Sequence, residues 1–171
     1  MRSIFIVLST ILAAGCSSTK KTMQDTGKGI VLPSFNKEGH RGTRGLMPEN
    51  TIPAMRKAID FGVNTVELDV VISRDKQVVI SHDIYFHPDI SLTPEGKPMT
   101  KKEAEERLLY QMDYDSIRKY DVGLKPHKDF PQQEKMAAYK PLLSELVDST
   151  DAYAASSGKK ILYNIELKAN P

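Results

Sequence analysis

Apolar positions between residues 35 and 168 recur at two spacings, and each change of spacing marks an element. A short strand over 35–40 ends at Gly39-His40. Gly42 and Gly45 then loosen the backbone, as a loop after a strand requires. Ile52, Met55, Ala58 and Ile59 follow at helical spacing, behind Thr51 as cap and Pro53 in the first turn, and Gly62 stops that helix. Over 65–72 the period falls to two. Val66, Leu68, Val70 and Ile72 share one face of a strand, and Glu67, Asp69 and Val71 share the other. A turn at 73–76 leads into a hairpin strand over 77–82, which His82 ends.

Regularity lapses from 87 to 111, where Pro88, Pro94, Gly96 and Pro98 interrupt the pattern. Within it, Thr100 and Glu103 form a capping box for a short helix through 109. Residues 113–119 suit another helical turn, and 120–139 read as loop. Pro141 opens a helix to about 156 that carries Leu142, Leu143, Leu146, Val147 and Tyr153, and Gly158 ends it. A last strand over 161–167 puts Asn164, Glu166 and Lys168 on one face and Ile161, Tyr163, Ile165 and Leu167 on the other. Strand, helix, strand, insertion, helix, strand is the order of a parallel α/β fold. In such folds chemistry gathers toward the carboxyl ends of the strands, and His40, Glu67, Asp69, Glu166 and Lys168 are read at or past the middle of theirs.

A length of 171 residues suits one domain, and 40% hydrophobic with 27% charged residues is ordinary for a globular protein. A net charge of +2 without a dense basic block makes no case for nucleic acid as a partner. The single cysteine, Cys16, excludes a disulfide framework or a multi-thiolate metal site within one chain.

That cysteine sits at an informative place. Arg2, an apolar run over 4–14 and then Gly15-Cys16 have the make-up of a secretory signal, and the run is too short to span a bilayer. Leu12-Ala13-Ala14-Gly15-Cys16 resembles a bacterial lipobox. The resemblance implies cleavage before Cys16, lipid on its sulfur and amino group, and anchoring on the extracytoplasmic side of a membrane in the cell envelope. Residues 1–15 are then a signal peptide, 16–34 a polar tether with Lys20, Lys21 and Lys28, and 35–171 the folded domain.

Candidate chemistry concentrates between His40 and Asp83. Two carboxylates on one face of an apolar strand repel each other if buried, so Glu67 and Asp69 call for a cation or water. With Glu166 they form an oxygen-only ligand set, which suits Mg²⁺ or Ca²⁺ and sometimes Mn²⁺. His40 and His82 have the side chain best suited to proton transfer near neutral pH. Arg41 can grip a phosphate oxygen with its planar fork. Glu49 is placed to orient Arg41 or His40, and Asn50 to order the mouth. His87 and His127 stand in loops without a partner motif, so no role is assigned to them.

Five separated motifs, His40-Arg41-Gly42, Pro48-Glu49-Asn50-Thr51, Glu67-Leu68-Asp69, His82-Asp83 and Ile165-Glu166-Leu167-Lys168, closely resemble those of the glycerophosphodiester phosphodiesterase family, in the family's order. The segment from Tyr139 to Leu146 also resembles the family's approach to its third barrel strand. The resemblance implies a TIM-type (β/α)₈ barrel and one divalent cation, Mg²⁺ or Ca²⁺, held by Glu67, Asp69 and Glu166. It also implies His40 and His82 as the acid–base pair, with Lys168 as a second phosphate contact beside Arg41. The implied reaction is hydrolysis of glycerophosphodiesters to sn-glycerol 3-phosphate and an alcohol, with the substrate's own glycerol hydroxyl attacking first through a cyclic phosphate. Thr43, where the family commonly has glycine, and Ile84 to Pro88 depart from the pattern and bear on substrate preference.

The expectation for length is a barrel truncated after its third strand, since a full barrel takes ≈ 250 residues. Such a chain would leave an open strand edge, be aggregation-prone and turn over little substrate. The alternative class is a catalytically incomplete lipoprotein fragment or binding module. A related barrel phosphodiesterase acting on phosphoinositides or sphingolipids would share paired histidines but not this combination of motifs.

Overall fold

The computed structural model describes residues 33–168. The predicted signal peptide, Cys16 and nearly all of the tether lie outside them. Among the described residues no helix is long and apolar enough to cross a membrane.

The centre of the fold is β2, Thr65–Ile72, a Val-rich strand whose first seven residues are all buried. On one flank β4, Leu162–Leu167, runs parallel to it over six pairs, from Thr65↔Leu162 to Val70↔Leu167. On the other flank β1, Glu38–Gly39, is parallel to its start. β3, Val78–Ile80, is antiparallel to its end. Two edges differ from the sequence reading. β1 has two residues rather than six, because the chain turns sharply at His40 with Gly42 donating to the Gly39 carbonyl. β3 stops at Ile80, two residues before His82: the Ser81 amide still meets the Asp69 carbonyl in register, and the Ser81 hydroxyl then donates to the Asp83 carbonyl and turns the chain.

The alternation in β2 sorts its side chains between two cores. Val66, Leu68 and Val70 pack with Met55 and Ala58 of α1, Ile52–Asp60, and with Leu146 of α4, Leu143–Ser156. Thr51 caps α1 by accepting from the Ala54 amide. Ile72, expected on this apolar face, is the last residue of β2, is 41% exposed and stands outside this cluster.

Val71, on the other face, joins Val79 in a second core built by the insertion. There Phe86, Met99, Ala104, Leu109, Tyr114 and Ile117 close over the carboxyl end of the sheet. The capping box at Thr100 and Glu103 is present, but α2 covers only Lys101–Glu105. A 3₁₀ turn at Leu109–Gln111 and α3, Tyr114–Ile117, follow it. The insertion therefore roofs the strand ends and leaves β4 alone. Ile165 and Leu167 of β4 remain 41% and 80% exposed, and among the described residues β4 pairs only with β2.

Candidate active site

The period-two pattern puts Glu67 and Asp69 on the face of β2 away from the helices, and the parallel register sets Glu166 directly beside Asp69. Oxygens of all three carboxylates lie within 4.8 Å of one another. Glu67 and Asp69 are 7% and 1% exposed, so their like charges meet in a poorly solvated place. Burial pushes the Glu67 carboxyl above its ordinary range, and repulsion from Asp69 adds to this. The Arg41 amide, donating to Glu67 Oε2 at 2.6 Å, works against it. Asp69 Oδ1 is buried without a well-aligned hydrogen bond, although Lys168 Nζ lies 3.1 Å away. A crowded set of oxygen donors, one incompletely satisfied, fits a hard divalent cation.

The turn after β1 supplies the counter-charges. Arg41 (φ 49°) and Asn50 (φ 58°) both occupy the left-handed region, where a side chain costs energy. The Asn50 amide donates to the Arg41 carbonyl at 3.1 Å and holds both in place. Gly42, at φ +79°, packs so closely on α1 that a Cβ would sit 2.6 Å from the Ala54 carbonyl carbon. The turn thus aims the Arg41 amide at Glu67 and its guanidinium back across the site. Nη1 donates to Glu49 Oε1 at 2.9 Å, and Nε lies 3.4 Å from Asp69 Oδ2. Glu49 therefore orients Arg41, not His40, and Arg44 Nε approaches its other oxygen at 2.6 Å. Asn50 holds Asp69 with its side-chain amide. Lys168 Nζ bridges Asp69 and Glu166, and these acids hold its ammonium above the usual range against the opposing effect of burial.

His82 Nδ1 lies 2.9 Å from Asp83 Oδ1, a pairing that keeps the proton on Nδ1 and leaves Nε2 free for exchange with a ligand. The two histidines do not share one recess. His82 lines a cavity of about 220 Å³ with Arg41, Arg44 and Glu49, whereas His40 is exposed on an adjoining groove that shares Arg44.

Two features escaped the sequence reading. Lys140 is buried at 7% exposure, its ammonium donating to Ser81 Oγ at 2.8 Å and lying 5.8 Å from the centroid of the Phe86 ring. Burial lowers its pKa to about 8, while the fields of Glu49, Asp83 and Asp69 oppose the fall. Ser81 Oγ in turn donates to the Asp83 carbonyl, so Lys140 braces the turn that carries His82. The motif Tyr139-Lys140-Pro141 was the only available signal. The second feature is a pair of histidines, His87 and His127, which line the same cavity as His82.

Comparison with known proteins agrees with this geometry. The model of the glycerophosphoryl diester phosphodiesterase family matches residues 40–170. A glycerophosphodiester phosphodiesterase of Caldanaerobacter subterraneus is 29% identical over 130 residues, 76% of this chain and 44% of the relative. Among solved structures, a Silicibacter pomeroyi protein provisionally described as a glycerophosphoryl diester phosphodiesterase superposes with a TM-score of 0.70 at 32% identity. That match covers 82% of this chain and 48% of the other. An Oleispira antarctica phosphodiesterase, solved with the product sn-glycerol 3-phosphate, gives 0.56 at 26% identity, covering 78% and 44%. The chain spans slightly less than half the length of these relatives. It belongs to the glycerophosphoryl diester phosphodiesterase family.

Proposed function

We propose that this site serves the hydrolysis of glycerophosphodiesters to sn-glycerol 3-phosphate and an alcohol. The observation that carries the reading is the meeting of Glu67, Asp69 and Glu166, on the paired parallel strands β2 and β4, beside Arg41 and Lys168. The three carboxylates would hold one divalent cation, Mg²⁺ or Ca²⁺, which when bound supplies positive charge to the phosphoryl oxygens. Arg41 and Lys168 bind the phosphate. His82, held by Asp83, exchanges a proton at Nε2 with the leaving alcohol or the attacking oxygen, and His40 takes the complementary part from the adjoining groove. Strands β1, β2 and β4, with α1 and α4, are three consecutive staves of a (β/α)₈ barrel in this reading.

The lipobox-like segment completes the proposal with a membrane anchor at Cys16 on the extracytoplasmic side. Changing Cys16→Ser should release correctly cleaved protein from the membrane fraction, and its retention there would count against the anchor.

The test of the site is calorimetry of sn-glycerol 3-phosphate binding to the 171-residue chain with and without CaCl₂. Binding should need the cation and be lost in Arg41→Ala. Equal affinity in that variant would remove the phosphate assignment. A second reading, a module that binds cation and product without turnover, is favoured by one observation: among the described residues β4 pairs on one side only, and Glu166 is 59% exposed at its side chain.

A further inference from the structure

The cavity beside His82 is larger than proton transfer alone requires, and its far wall comes from the insertion. His87-Pro88-Asp89 and His127-Lys128-Asp129 form two turns of the same kind on that wall. In the first, His87 Nδ1 accepts from the Asp89 amide at 3.1 Å; in the second, His127 Nδ1 accepts from the Asp129 amide at 3.2 Å. An imidazole that accepts at Nδ1 carries its proton on Nε2 when neutral, so each ring is fixed as an Nε2–H donor. His127 is 93% buried (7% exposed), and among the described residues its Nε2 has no hydrogen-bond partner. Its ring rests against Phe130, with centroids 4.7 Å apart, which holds it in place. Burial also lowers the His127 pKa, in keeping with the neutral ring.

The other charges of the cavity are largely spoken for. Glu49 faces Arg41 and Arg44, Asp83 faces His82, and Asp89 pairs with Lys128 at 2.5 Å. Two N–H donors and the carboxylate of Asp129 at the rim remain for a ligand. A hydroxyl group both donates and accepts, so adjacent hydroxyls match that set. A quaternary ammonium does not match it. Among the described residues no Phe, Tyr or Trp lines the cavity, and the nearby Phe130 ring already carries the Arg44 guanidinium 5.1 Å from its centroid.

We propose that His87 and His127 form the subsite for the alcohol half of the substrate, and that it takes an uncharged polyhydroxy alcohol such as a glycerol or inositol headgroup. This rests on the phosphodiesterase reading, which binds the phosphate at Arg41 and Lys168; Arg41 and His82 line this cavity, so the alcohol half extends from the phosphate toward this wall.

The experiment follows side-chain ¹⁵N resonances of the four histidines by NMR in the 171-residue chain with CaCl₂. Glycerophosphoglycerol, glycerophosphocholine and sn-glycerol 3-phosphate are added separately. Glycerophosphoglycerol should move His87 and His127 as well as His82, whereas the other two should move His82 and leave His87 and His127 in place. In His127→Leu, affinity for glycerophosphoglycerol should fall ~5-fold, the worth of one hydrogen bond, with the other two within twofold. If glycerophosphoglycerol leaves His127 unmoved, or glycerophosphocholine moves it equally, the subsite is overturned. If sn-glycerol 3-phosphate fails to bind while glycerophosphoglycerol still moves His127, the phosphate reading fails and the subsite stands. Binding by none of the three removes both.

Discussion

Asn50 clasps Asp69 at two points: its side-chain amide donates to Asp69 Oδ2 at 2.9 Å, and its side-chain carbonyl accepts from the Asp69 amide at 3.3 Å. One residue of the turn thereby fixes both the backbone and the carboxylate of a candidate metal ligand. Its left-handed backbone suits Asn or Gly far better than a residue with an ordinary Cβ. Asn50→Ala should therefore cost more stability than Asn50→Gly, by ~1–2 kcal/mol in urea unfolding. Both should weaken Ca²⁺ binding by ~10–100-fold, the usual effect of losing a partner of a metal ligand. Unchanged Ca²⁺ affinity in both would mean that Asp69 is not a ligand.

Glu67 yields a prediction in pH. Its folded carboxyl titrates above the ordinary range, so without a cation the folded state holds its proton more tightly than the unfolded chain. Its contribution to stability therefore declines as pH rises from the ordinary carboxylate value through the folded one. A bound cation reverses that penalty. Added Ca²⁺ should raise the melting temperature more at pH 7 than at pH 5, and Glu67→Gln should remove the difference. The same Ca²⁺ effect in both proteins at both pH values would contradict the assignment.

Lys140 acts in the opposite direction. Below pH 8 it is protonated in both states, and the folded state bears the cost of a buried charge. Between pH 8 and its ordinary value of 10.5 the folded lysine is neutral while the unfolded one is charged, so stability rises with pH. The stability of wild type relative to Lys140→Met should improve by ~2 kcal/mol from pH 8 to pH 10. Using the difference cancels buried Tyr114 and half-buried Tyr163, whose raised pKa values act at higher pH. A flat difference would place the Lys140 ammonium in water.

How much of this was legible in the sequence depends on where each effect originates. The alternation of Glu67 and Asp69 with Val66, Leu68 and Val70 is local, so β2 and its two faces were readable without the fold. The caps at Thr51 and Thr100 were readable for the same reason. His82 was expected to end a strand, but the strand stops at Ile80, and the Ser81 hydroxyl donating to the Asp83 carbonyl turns the chain at His82. Lys140 looks like an ordinary surface charge until the insertion brings Phe86 over it. His87 and His127 are 40 positions apart, and only the folded insertion places them on one wall. Ile72 reads as core by its period, yet as the last residue of β2 it is exposed and outside the core cluster of that face.

The β4 edge carries a solubility prediction. Leu167 at 80% exposure and Ile165 at 41% lie on a strand with an unpaired side among the described residues. The isolated 171-residue chain should self-associate with rising concentration, and Leu167→Lys should reduce this in light scattering. A wild-type chain that stays monomeric at all concentrations would show that the edge is protected.

Cleavage of glycerophosphodiesters at this site, as proposed, is tested by the release of sn-glycerol 3-phosphate from glycerophosphoglycerol by the 171-residue chain at high protein concentration with CaCl₂. Release should be slow but measurable, should stop on chelation, and should fall at least ~10²-fold in His82→Ala, the usual size of an acid–base contribution. No release by a chain that binds the product, or an equal rate in His82→Ala, would contradict the account.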